Sequence, residues 1–214
     1  MKHTSTLSVS FSSPPSQIQE IRKEIATIAA KNIAVDGATY AIAKQKAAQQ
    51  VLGSTQFSRD LLPDNALIES EVHRYNQLFL TDSQPARLLY LRLLALRVMQ
   101  ELAQFNPRLT GAVLNGTAGA HADIVLHLFI DNSKEVAIYL LNRNVDFEVS
   151  ESQDLAGNRG GKHGPIETLS FMRDNEGIHL VLHTIDDLRH IPAKKSPRAT
   201  IDALQKLIEE SPIL

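Results

Sequence analysis

The chain contains no cysteine. That excludes disulfides, thiolate metal sites and a cysteine nucleophile, and it suits a reducing compartment. Net charge is also scarce, formally −2 at pH 7. No global field therefore draws the chain to nucleic acid or to an anionic lipid surface. A long uninterrupted apolar run is missing too. The most apolar stretch, ARLLYLRLLALRVMQELAQF, is broken by Arg87, Arg92 and Arg97 and reads as a buried helix, not a membrane span. The opening MKHTSTLSVSFSSPPS has no apolar centre, so no signal peptide is expected and a cytoplasmic location is. What is present is ordinary for a globular protein. There are 214 residues, 43% hydrophobic and 21% charged, enough for one large domain or two small ones with a real core.

Residues 1–15 are rich in Ser, Thr and Pro and read as a flexible tail. A helical pattern starts near residue 16, where Ile18, Ile21, Ile25 and Ile28 form one apolar stripe. Asp36 is the expected cap of a second helix, rich in alanine and ending on Gly53. A third helix should follow Pro63, capped by Asp64 or Asn65 and burying Leu67, Ile68, Val72, Tyr75 and Phe79. A fourth opens at Ser83 and Pro85 and runs to about Phe105. Residues 16–105 thus read as a helical region.

Near Pro107 the apolar period changes. TGAVL and ADIVLHLFI read as strands, NSKEVAIYLLNRN (helix 133–143) as a helix, and VDFEV as a strand of alternating apolar and acidic residues. IETLSFM and GIHLVLHTI, joined by RDNE, read as a β-hairpin. SPRATIDALQKLIEE reads as a closing helix with Ser196 as cap, Pro197 at its first position and an Ile201, Leu204, Leu207, Ile208 stripe. The expected fold class is α+β. A helical region precedes a small mixed sheet with flanking helices over 106–191, and a C-terminal helix at 192–214 packs on it.

GAVLNGTAGAHADIVLHLF, residues 111–129, is the stretch that suggests chemistry. It resembles the signature of the nucleotidyltransferase superfamily, the polymerase-beta-like fold, roughly G-S-x-x-x-G-x-A-x-x-x-S-D-I-D-L. Gly111, Gly116, Ala118, Ala122 and Asp123 fall in register without a gap, and helix 86–105, helix 133–143 and the VDFEV strand follow the expected order. The resemblance covers about residues 86–150. It implies a phosphate site at Gly111, Ala112, Asn115, Gly116 and Thr117. It also implies catalytic carboxylates at Asp123 and Asp146 and a divalent metal, Mg²⁺ or Mn²⁺, on hard oxygen ligands. Glu148 is the other choice for the strand-three carboxylate. Asp123 and an acid of 145–149 should then face each other across adjacent strands.

Two of the deciding positions depart from the signature. Ala112 replaces the phosphate-contacting serine and Val125 replaces the second aspartate, so ordinary Mg²⁺-dependent transfer reads as impaired. His127 shares a strand face with Asp123 and Val125. Asp123, His127 and Asp146 together would favour a transition metal, because imidazole is the softer ligand. Each has a plainer reading. His127 can be a half-buried strand histidine, Asp123 a turn carboxylate, and VDFEV the solvent side of an edge strand. AGNRGGKHG fails the Walker pattern at Ala156 and His163 and reads as a mobile loop whose Arg159, Lys162 and His163 could reach an anion. HLVLHTIDDLRH has no zinc spacing, and His179 and His183 alternate with apolar residues as in any half-exposed strand. KKSPR is too short to argue nucleic-acid binding. The arginines of helix 86–105 read as a solvated edge or as partners of rim carboxylates.

The expected function is a nucleotidyltransferase-like protein with an incomplete metal site. It would bind a nucleotide or another anionic small molecule, or regulate, with weak transfer activity or none. The alternatives are an active nucleotidyltransferase acting on a small molecule or protein, and a non-catalytic α+β interaction module. Neither membrane nor nucleic acid is an expected partner. A protein partner or a second copy would use the helical region.

Overall fold

The computed structural model describes residues 15–54, 57–152, 166–187 and 197–211. The tail 1–14, the glycine-rich 153–165 and most of the basic linker lie outside the described residues. The chain divides into two compact units between Arg74 and Tyr75.

The first unit contains α1 (Pro15–Asp36), α2 (Tyr40–Leu52) and the start of α3 (Asn65–Phe79). α1 packs on α2, and both bury small side chains: Ala26, Ala29, Ala30 and Ala34 on one, Ala43, Ala47 and Ala48 on the other. Of the expected isoleucine stripe, Ile25 is fully buried and the rest half-buried. The expected cap Asp36 is instead the last residue of α1. Thr39 caps α2, its Oγ1 accepting the Ile42 N–H at 3.4 Å, and Gly53 closes it at φ 64°. Asp64 caps the third helix as expected, accepting the Leu67 N–H at 2.8 Å. Ile68 and Val72 are buried, but Phe79 is 66% exposed and lies against Tyr75, because it ends α3.

The second unit is built on a five-stranded sheet in the order β1-β2-β5-β4-β3. The strands are β1 (Arg108–Thr110), β2 (Ile124–Phe129), β3 (Glu148–Ser152), β4 (Ile166–Arg173) and β5 (Glu176–His183). β2 and β5 run parallel and the other neighbours antiparallel, so the sheet is mixed. Leu109, Leu126, Leu180 and Leu169 form one apolar row across it, with Ile124, Leu128, Phe171, Ile178 and Leu182 on the same face. Four helices share that core: α4 (Gln84–Glu101) through Leu91, Leu94, Ala95, Val98 and Met99, α5 (Gly111–Asn115) through Val113, α6 (Lys134–Leu141) through Val136 and Leu140, and α7 (Ile201–Glu209) through Leu204. α4 therefore belongs with the sheet, and the division lies at Arg74 rather than near residue 105.

Three expected boundaries move. TGAVL is not a strand: Gly111 at φ 70° turns the chain out of β1 into the short helix α5 (Gly111–Asn115). VDFEV is a strand only from Glu148, because the residues before it close α6. Asn144 has φ 54° and the Val145 N–H returns to Leu140 O at 3.1 Å. α7 starts at Ile201 and not at Pro197; Thr200 caps it, accepting the Ala203 N–H at 3.1 Å. Just before that cap, Ala199 exchanges two 3.0 Å backbone bonds with Leu109 on the outer edge of β1.

Candidate functional site

The sheet face opposite the core carries the polar groups. Its central row is Thr110, Val125, His179, Ser170 and Glu148, and the next is Arg108, His127, Val181, Thr168 and Ser150. The register rests on the β4–β5 hairpin, where Asp174 and Asn175 adopt φ 52° and 66°. Consecutive left-handed residues form the turn type that matches strand twist, and Asp and Asn tolerate it best. That turn sets Ser170 directly opposite His179.

Asp123 sits one residue before β2. Because Ile124 pairs with Ile178, the Asp123 side chain comes to lie over Gly177. A Cβ on Gly177 would stand 2.8 Å from Asp123 Cγ and closer still to Oδ1. Only glycine leaves room for this carboxylate. In that place Asp123 Oδ2 meets His179 Nε2 at 3.2 Å, and His179 Nδ1 meets Ser170 Oγ at 2.8 Å. A carboxylate accepts only, so Nε2 carries the proton, and in the neutral ring Nδ1 accepts from the Ser170 hydroxyl. Asp123, His179 and Ser170 form one line across β2, β5 and β4. It is open to solvent, with the Asp123 side chain 53% and that of His179 35% exposed.

α4 fixes the loop that leads into Asp123. Gln84 Nε2 donates to Gly116 O and Ala118 O at 3.1 and 3.0 Å. Arg92 donates to Val113 O and Leu114 O at 3.1 and 3.2 Å, and its burial lowers its pKa. Arg87 donates to Ala120 O at 3.0 Å and makes a bidentate pair with Glu176 at 2.5 and 2.6 Å. The hydrogen bond to Glu176 raises the Arg87 pKa. Arg97 pairs with Asp174 at 2.8 Å. Arg87 and Arg97 are thus partners of rim carboxylates, as expected, whereas Arg92 is a buried donor to a turn.

The expected phosphate residues divide. The N–H groups of Gly116, Thr117 and Ala118 all point at Ala112 O, at 3.1, 3.0 and 3.1 Å. Asn115 Oδ1 accepts from Thr117 N–H at 3.1 Å and from its hydroxyl at 2.7 Å. Asn115, Gly116 and Thr117 therefore spend their polar groups on the turn itself. Gly111 and Ala112 open α5, where the first N–H groups of a helix have no acceptor inside it.

The expected metal residues are not brought together. β5 and β4 stand between the strand that follows Asp123 and the strand of Glu148, so these carboxylates do not face each other across adjacent strands. Asp146 lies before β3, exposed. The strand beside Asp123 presents Gly177 and His179 instead. His127 faces His183, with ring centroids 4.5 Å apart, and its Nδ1 is buried without a partner. Burial, with His183 and Arg198 nearby, pushes His127 down to about 4. Among the described residues no three His, Asp or Glu side chains converge as ligands would. Asp123, His127, Asp146 and Glu148 do not fit a shared divalent ion.

Sequence reading missed His179, Ser170, Gly177 and Gln84. The alternation in HLVLH marked His179 as facing one side of a strand, but nothing local to Ser170 signalled its partner. No protein-family model matches the chain, and no curated protein matches it.

Proposed function

We propose that the second unit is an anion- or nucleotide-binding module that keeps a nucleotidyltransferase-like loop and strand without metal-dependent transfer. The observation that carries this reading is the engagement of Asp123 by His179 at 3.2 Å, from the strand that would need to supply a second carboxylate. A two-metal site needs hard oxygen ligands on both sides of the ion; here one side offers imidazole and the other an apolar Val125. Of the residues that the resemblance gives to phosphate, Gly111 stays exposed at φ 70°, where a glycine backbone lets an anion approach closely.

Calorimetric titration with ATP, with and without Mg²⁺, tests the reading. Weak binding that does not require Mg²⁺, and that Ala112→Asp weakens further by repulsion, supports it. No binding of ATP or inorganic phosphate removes the anion-binding part. Nucleotide transfer that needs Mg²⁺ and disappears in Asp123→Asn replaces the reading with an active transferase. A protein-interaction module is the second reading, favoured by the exposed Val35 and Ile42 of the helical unit.

A further inference from the structure

We propose that Ser170 is an activated nucleophile that accepts an acyl group from an activated ester or thioester, with His179 as its base and Asp123 as the positioning carboxylate. The inference is independent of anion binding at Gly111. A serine hydroxyl is a weak nucleophile until a base takes its proton, and the arrangement that achieves this is serine to imidazole to carboxylate. All three members are present, at 2.8 and 3.2 Å. The ring is turned so that Nδ1, not Nε2, faces the serine, and either nitrogen can take the proton.

Three features separate this line from a chance polar contact. The tautomer is set by the carboxylate, which leaves the Nδ1 lone pair for Ser170. Gly177 supplies the space that lets Asp123 reach the ring. The line lies on the face opposite the packed helices, next to Met172, which is 64% exposed, so a small acyl donor can approach.

The step balances without a further reactant. Ser170 Oγ bonds to the carbonyl carbon while its proton passes to His179 Nδ1. The bond from that carbon to the alkoxide or thiolate then breaks, and the leaving group departs, taking a proton where its basicity requires one. Water, with His179 again as base, attacks the acyl-serine, releases the carboxylic acid and returns the proton to Ser170. β4 is paired on both sides, so its backbone N–H groups are used in the sheet and offer no oxyanion hole. The acyl-serine should therefore form slowly and accumulate, and labelling is a better readout than turnover.

The full chain is incubated with p-nitrophenyl acetate near neutral pH and mapped by peptide mass spectrometry. One acetyl group on Ser170 is expected. His179→Gln should slow labelling of Ser170 by about a hundredfold, the usual scale of general-base assistance. Gly177→Ala, which displaces Asp123 but removes no reacting group, should slow it by a smaller factor and alter the pH profile. Both variants retain Ser170, so the result does not hinge on whether Ser170→Ala folds. Acetyl groups found only on lysines and the N-terminus, or labelling of Ser170 at the same rate in His179→Gln, would overturn the proposal.

Discussion

Gly177 has no side chain, and Asp123 occupies the room this leaves. A methyl group there would meet the carboxylate, which is half exposed and can swing into water. Gly177→Ala should therefore change stability by less than about 1 kcal/mol, the ordinary range away from the core. It should nevertheless abolish the Asp123–His179 contact, read as a change in the His179 ring signals. His127 makes the opposite case, a group whose burial costs stability. Its folded pKa is about 4 against an ordinary value of 6.5. Below 6.5 the unfolded chain takes a proton that the folded chain refuses until about 4. Stability thus falls as pH drops through that window and levels off beneath it, by up to about 3 kcal/mol. His127→Leu should flatten this part of the denaturant-derived stability profile. At pH 7 it should cost less than about 1 kcal/mol, because the buried Nδ1 has no hydrogen bond to lose. Single residues were legible where their type restricts them. Gly111, Gly53 and Asp64 do what glycine and a capping aspartate do. Ser170 was not legible, since a serine in a strand acquires a role only from what the register sets opposite it.

Elements were legible where the apolar period ran long. α1, α3, α4, α6, β2 and the β4–β5 hairpin follow their patterns, and the Asp174–Asn175 turn follows its residue types. Short apolar runs fit helix and strand alike. TGAVL became α5 because one glycine took a positive φ, and VDFEV lost its first residues to the end of α6. The contact that holds the hairpin against α4 could not be read at all, because Arg87 and Glu176 are 89 positions apart. Their bidentate pair is mostly shielded from water, and Arg87 also holds Ala120 O. Glu176→Gln should destabilise the second unit by about 1–3 kcal/mol, the scale of a charged hydrogen bond lost. It should also loosen the Ala120 loop, seen as faster amide exchange at residues 119–122. Full retention of stability would show that the pair is compensated by water.

At the scale of the whole molecule, the α+β class was legible and the division was not. The helical pattern of 16–105 is continuous in sequence, yet α4 contributes Leu91, Leu94, Val98 and Met99 to the core beneath the sheet. A fragment of residues 75–214 should thus unfold cooperatively with strand content. A fragment of 106–214 should not, because it exposes the apolar face that α4 covers. The same scale decides the site. Local order around Gly111 and Asp123 suits the nucleotidyltransferase signature, but strand order puts β5 beside Asp123. Whether Asp123 serves His179 or a metal ion is open to direct measurement. A long-range proton–nitrogen NMR spectrum of the His179 ring tests it most directly. The ring proton should be found on Nε2, unchanged by millimolar Mg²⁺ and altered by Asp123→Asn. A proton on Nδ1, or ring signals that move when Mg²⁺ draws Asp123 away, would contradict it.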